Sequence, residues 1–130
     1  MTLLLDTQCW LWATSFEDRL SRRARRLLTS GDHQLYFSVA SMWEIAIKYA
    51  VGKLRLPEPP ASFVPSRLLA MSIHALAISP EHALHVAMLP PHHRDPFDRL
   101  LIAQAQIEDL TILTSDPHFA AYDVSVIAAA

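Results

Sequence analysis

Cysteine is almost missing from this chain. Cys9 stands alone, which excludes an internal disulfide framework and makes a reducing cytoplasm the expected setting. No apolar run exceeds a handful of residues, too few to span a bilayer. Residues 1–5 (MTLLL) carry no basic stretch and meet Asp6 at once, so no secretory leader is expected. Repeats, low-complexity segments and domain-splitting linkers are also lacking. A basic excess is absent too: 11 Lys and Arg face 13 Asp and Glu, a formal charge of −2, whereas a nucleic-acid binder usually shows surplus positive charge. The distribution differs from the sum, because Arg19, Arg22, Arg23, Arg25 and Arg26 fall within eight positions. That run reads either as a solvated helix face or as a phosphate-neutralising stripe.

What is present is apolar material: 52% of the 130 residues. A chain of this length can bury about two thirds of its unfolded surface without staples, and one domain over 1–130 is expected. Thr2–Leu5 reads as a short apolar strand ending at Asp6, followed by a helix within 8–13. Ser21 suits an N-cap for a helix that Gly31 stops. Residues 34–39 (QLYFSV) have strand composition, and Ser38 or Ser41 caps a helix reaching Val51 and Gly52. The connection 53–60 is punctuated by Pro57, Pro59 and Pro60. Helices over 61–71 and 80–88 flank a strand over 73–78. Asp95-Pro96 is a cap followed by proline at the first helical position, opening a helix to about Glu108. Strands over 110–114 and 124–127 complete the pattern. Short apolar strands alternating with helices imply an α/β fold with a parallel sheet covered on both faces. Its functional crevice lies beyond the carboxyl ends of the strands.

Four acids point there. Asp6 and Asp116 each follow an apolar strand, Asp98 sits in the first turn of its helix, and Glu44 lies one turn into another. Gathering carboxylates raises their pKa values unless a cation compensates. Mg²⁺ or Mn²⁺, which take oxygen ligands, suit that role, and the chemistry they serve is phosphodiester hydrolysis. Every acid also has a structural reading. Asp95 and Asp98 suit helix capping and the helix dipole. Glu44 and Lys48 are spaced as a helix-surface ion pair, and Asp116 before Pro117 suits a turn.

The segments LLLDTQCWLW, SVASMWEIAIKYAVGKLRLP and HRDPFDRLLIAQAQIEDLTILTSD resemble PIN-domain ribonucleases, the VapC-type toxins of bacterial toxin–antitoxin pairs in particular. The resemblance implies a three-layer α/β/α sandwich around a central parallel sheet and a Mg²⁺- or Mn²⁺-dependent endoribonuclease. It implies Asp6, Glu44, Asp98 and Asp116 as the catalytic and metal-holding acids, with Thr7, Thr114 and Ser115 in support and Asp95 as the helix cap beside them. Its position for Gln8 often carries histidine instead. Implied partners are an RNA substrate, a cognate antitoxin protein and a second copy of the chain. Arg22, Arg23, Arg26 and Arg94 are the candidate RNA contacts. A non-catalytic RNA- or partner-binding module on the same fold is the alternative.

Three other constellations weigh less. His82/His85 and His92-His93 lack any HExxH or paired-cysteine context for zinc, although His93 sits near the mouth of the expected crevice. An aspartyl-nucleophile phosphatase would want a second aspartate where Gln8 stands. Trp10, Leu11, Trp12, Trp43 and Tyr49 read as core, with a partner-binding surface as the alternative.

Overall fold

The computed structural model describes residues 1–130. Five strands, β1 (Thr2–Leu5), β2 (Gln34–Ser38), β3 (Ile73–Leu76), β4 (Thr111–Thr114) and β5 (Val126–Ala128), form one sheet in the order β3-β2-β1-β4-β5. Every neighbouring pair is parallel. The six helices are α1 (Thr7–Ser15), α2 (Arg22–Thr29), α3 (Val39–Ala50), α4 (Pro60–Ala70), α5 (Pro80–His85) and α6 (Pro96–Glu108). No helix is long and apolar enough to cross a membrane.

The three layers follow from strand alternation. Leu3 and Leu5 turn to one face of β1, where they pack with Trp10 of α1, Ala24 of α2, Ile45 of α3 and Phe63 of α4. Leu4 turns to the other face and meets Leu101, Ile102 and Ala105 of α6 with Phe119. A strand buried on both sides must be apolar throughout, and LLL is fully buried. β1 lies between β2 and β4, so the chain winds one way from β1 through β3 and the other way through β4 and β5. The carboxyl ends of β1 and β4 therefore border the switch point where such sheets open a crevice.

Local signals set most boundaries. The Ser21 hydroxyl accepts from Ala24 N, and the Ser38 hydroxyl, not that of Ser41, accepts from Ala40 N. Gly52 takes the left-handed φ of 78° that releases the chain after α3. α4 begins at Pro60, one residue before the expected start, because proline costs nothing at the first helical position; Pro65 lies within it. The helix expected over 80–88 divides into α5 and a 3-10 turn at Val86–Met88. β3 stops at Leu76, two residues short of expectation, and β5 begins at Val126 rather than Val124.

Arg99 has a structural task. Its guanidinium donates to the carbonyls of Val86 (3.1 Å) and Pro90 (2.9 Å) and to the Tyr122 hydroxyl (3.2 Å), with longer contacts to Leu89 and His93. It clamps the 86–93 loop onto α6. Arg99→Lys keeps the charge and loses the fork of donors, so chemical denaturation is expected to show a loss of about 1–3 kcal/mol.

Candidate active site

Asp6 is the N-cap of α1, and its position is dictated by β1 ending at the switch point. Its Oδ1 accepts from Cys9 N at 2.6 Å, and its Oδ2 accepts from the Thr114 hydroxyl at the end of β4. Thr114 Oγ1 in turn accepts from Asp116 N at 3.0 Å. One threonine thus ties together the two aspartates that adjacent strands deliver. Beside them, Thr7 donates to Glu44 Oε1 at 2.7 Å, and Lys48 donates to Glu44 Oε2 at 2.7 Å. Asp98, in the first turn of α6, accepts from His93 Nε2 at 2.8 Å. Asp95 Oδ1 accepts from the backbone N–H groups of Phe97 and Asp98, the capping role expected of it.

These groups meet in one cleft of about 420 Å³. Asp6, Glu44, Asp98 and Asp116 all line it, with Asp95, Thr7 and Ser115. Thr114 lies beneath it, buried. A larger cavity of about 560 Å³, by the starts of β2 and β3, has Glu17 as its one acid and cannot assemble such chemistry.

The electrostatics are those of crowded, partly dehydrated acids. Burial pushes the Asp6 carboxyl up to about 6 despite the lowering effect of its two hydrogen bonds, and the Asp116 and Glu44 charges add to the rise. Burial likewise lifts Asp98 to about 7, aided by Asp95 and opposed by His93. For Asp116 burial also acts upward, but its contacts with His118 outweigh it and hold the carboxyl below the ordinary range. Cys9 is buried in the core and its thiol is pushed well above the usual range by burial, so it is no nucleophile.

Oxygen donors dominate the cleft, and its wall offers only Lys48 and Lys53 as compensating cations. A hard dication fits that donor set and would relieve the mutual repulsion of Asp6, Glu44 and Asp98. Thr7→Val, nearly isosteric, removes the hydroxyl from Glu44. The expected cost is about 1–3 kcal/mol of folding stability, read by denaturant titration, because a buried carboxylate oxygen loses its donor.

Arg22, Arg23, Arg26 and Arg94 do not line the cleft. The first three belong to α2, where Arg22 and Arg26 flank a separate shallow surface depression. Spacing along the chain cannot reveal this, since tertiary packing sets where α2 docks: Ala24 faces the core while Arg22, Arg23 and Arg26 are exposed. The cations that do line it, Lys48 and Lys53, flank the end of α3; only the Glu44–Lys48 spacing hinted at either. His118 is a second residue that the pattern does not announce. It comes into play because Asp116 caps the 3-10 turn Pro117–Ala121 and so faces the ring two residues on. His82 and His85 are structural: His82 forms a capping box with Ser79 and meets Glu108, and His85 meets Gln106. Trp10 is core, whereas Trp43 is 59% exposed and forms a line with exposed Val39, Ile47 and Val51 along α3.

The protein is thus an α/β protein whose doubly wound sheet gathers its acids at the switch point. The PIN domain family model matches residues 3–125, and the chain belongs to that family. It is 39% identical over 61 residues to Ribonuclease VapC16 of Mycobacterium tuberculosis, a stretch of 47% of this chain and 43% of that relative. The match thus spans less than half the relative's length. Among solved structures, VapBC2 from Rickettsia felis bound to a promoter DNA fragment has TM-score 0.76 at 17% identity, covering 100% of both chains. A toxin–antitoxin complex from Klebsiella pneumoniae has TM-score 0.62 at 16% identity, covering 97% of this chain and 96% of the other. At such identities the likeness is one of fold.

Proposed function

We propose that this chain is a metal-dependent endoribonuclease, the toxin of a toxin–antitoxin pair. The observation that carries the reading is the convergence of Asp6, Glu44, Asp98 and Asp116 on one cleft at the switch point of a PIN-family sheet. These four acids would hold Mg²⁺ or Mn²⁺; Thr7 fixes Glu44, Thr114 fixes Asp6 and Asp116, and Ser115 lines the cleft beside them. When bound, the dication supplies positive charge to the phosphate under attack. Hydrolysis adds water across a P–O bond. A cleft carboxylate takes one proton of the attacking water, the hydroxyl joins phosphorus as the P–O bond to the sugar breaks, and that proton passes from the carboxylate to the departing sugar oxygen. Lys48 and Lys53 neutralise the phosphates that enter the cleft, and Arg94 continues that path outward. The arginines of α2 contribute only if the RNA runs on beyond the cleft.

The line Val39, Trp43 and Ile47 of α3 with Val51 at its C-cap, apolar yet exposed at every fourth position, supports burial against a second copy or an antitoxin. The names of the similar proteins, a ribonuclease and toxin–antitoxin complexes, agree with this assignment.

The test incubates purified protein with structured RNA in Mg²⁺ or Mn²⁺, then with chelator, for wild type and Glu44→Ala. Internal cuts that need the metal and vanish with Glu44→Ala are expected. RNA affinity indifferent to metal and to Glu44, with no cleavage, would instead establish the non-catalytic binding module.

A further inference from the structure

At the outer rim of the acid cleft, His93, Asp116 and His118 bring two ring nitrogens and a carboxylate oxygen to within 4.8 Å of one another. His118 Nδ1 lies 2.7 Å from Asp116 Oδ1, and His93 Nε2 lies 3.7 Å from Asp116 Oδ2. The two imidazoles stack with centroids 5.0 Å apart, so their nitrogens reach the same carboxylate from neighbouring planes. We propose that this trio is a separate binding site for a transition-metal dication of the Zn²⁺, Co²⁺ or Ni²⁺ class, sharing Asp116 with the carboxylate cleft.

The chemistry selects the metal. Imidazole nitrogen is a good ligand for Zn²⁺, Co²⁺ and Ni²⁺, whereas Mg²⁺ prefers oxygen and is reluctant to shed water. A His₂Asp set leaves a coordination position open to water or substrate, as metal sites with three protein ligands do. Nitrogen and oxygen ligands of zinc lie about 2.0–2.2 Å from the ion, which sets neighbouring donors of a tetrahedral site about 3.3–3.5 Å apart; an entering cation therefore opens the 2.7 Å His118–Asp116 contact and slightly closes the 3.7 Å His93–Asp116 one.

The site is also held ready. The backbone N–H of His93 donates to the Tyr122 hydroxyl at 2.8 Å, the His92 ring packs edge-on against Tyr122, and Arg99 grips the same loop. The backbone of His93 is therefore fixed while its ring reaches Asp98 and Asp116. Asp116 is fixed through its backbone N–H on Thr114. His118 is 62% exposed, so it rotates onto an ion at little cost. Asp98 Oδ2, 2.8 Å from His93 Nε2, stands next to this trio. Occupancy of the rim would draw His93 from Asp98 and Asp116 from the acid set, coupling transition-metal binding to whatever the cleft holds.

The inference does not need RNA cleavage, and its test is made on tag-free protein without substrate. Zn²⁺ and Co²⁺ are titrated calorimetrically in millimolar Mg²⁺ into wild type, His93→Ala, His118→Ala and Asp6→Asn. In parallel, ¹⁵N spectra of the histidine rings are recorded with Zn²⁺. Expected are at least tenfold weaker Zn²⁺ binding in each histidine variant, Zn²⁺ binding in Asp6→Asn at least as tight as in wild type because cleft Mg²⁺ no longer competes for Asp116, and coordination shifts at His93 Nε2 and His118 Nδ1. Unchanged Zn²⁺ affinity in both histidine variants, or shifts confined to other histidines such as His74 or His92, would overturn it. Loss of Mg²⁺ binding in Asp6→Asn with intact Zn²⁺ binding would separate this rim from the carboxylate cleft.

Discussion

Asp6→Asn is expected to abolish RNA cleavage, by at least 100-fold, while making the metal-free protein more stable at pH 8. The two effects have one cause. Asp6 is a buried acid whose carboxyl sits near 6, well above the ordinary 3.8. Its ionised form is therefore held in the fold at a cost, on the order of 2–3 kcal/mol at neutral pH and above. Asparagine carries no charge and keeps the local bonds: its carbonyl still accepts from Cys9 N, and its amide donates to Thr114 Oγ1 in place of the present bond. What it cannot do is help hold a dication. Thermal unfolding with and without Mg²⁺ reads the first effect, and gel-based RNA cleavage the second. A variant that cleaves RNA as fast as wild type would remove Asp6 from the site.

The pH dependence follows with a definite sign. Asp6 and Asp98 are both raised in the folded state, to about 6 and about 7. A group raised on folding contributes stability that is full below its unfolded pKa and disappears as pH climbs through the folded value. Metal-free protein should therefore lose stability between about pH 4 and pH 7. Asp116, held below its ordinary value, acts oppositely, only at more acid pH, and weakly because it is a third exposed. A dication favours the ionised acids, so its binding should release protons near pH 6 and reverse the loss. At a metal concentration one hundred times its dissociation constant, the gain is about 2.7 kcal/mol. Melting curves across pH 4–8 with Mg²⁺ or chelator would record both trends.

How much of this was open to a reader of the sequence depends on whether a feature is local. Caps and breaks are local, so Ser21, Asp95-Pro96 and Gly52 marked the ends of α2, α6 and α3 correctly. The placement of Asp6 and Asp116 was legible because a strand ending at a charge must deliver it to the sheet edge, and the family resemblance picked Asp98 over Asp95. The edge strands were less legible: β3 and β5 each have one neighbour in the sheet, and pairing, not composition, decides where they stop. Least legible were groups brought in by tertiary packing. Lys53 enters the cleft from the loop after α3, His118 reaches Asp116 from the 3-10 turn, the α2 arginines stay out of the cleft, and Arg99 holds a loop. Gln104 is of the same kind: fully buried, it accepts from the Ser38 hydroxyl at 2.5 Å and donates to the Ala77 carbonyl at 3.3 Å, linking elements that the sequence keeps 66 positions apart.

Trp10→Ala should cost about 3–5 kcal/mol, enough to unfold much of the population of a domain this small. Trp10 is fully buried on the inner face of α1 and packs on Phe37 of β2 at 4.6 Å and edge-on to Phe63 of α4 at 5.9 Å. One side chain thus joins three elements, and its removal leaves a void that neighbours on rigid strands cannot close. Its indole Nε1–H has no hydrogen-bond partner, which is an energetic debit that alanine removes and phenylalanine also removes. Trp10→Phe should therefore be far milder, within about 2 kcal/mol, because much of the volume stays while the unpaired donor goes. The consequence reaches the cleft: α1 carries Thr7 on its first turn and is capped by Asp6, so loosening its inner face loosens the donor that fixes Glu44. Denaturant midpoints for the two variants give the stability order. The Mg²⁺ affinity of Trp10→Phe, measured under folding conditions, should stay close to wild type; an affinity that falls along with packing would mean that the cleft is set by the core and not by its own hydrogen bonds.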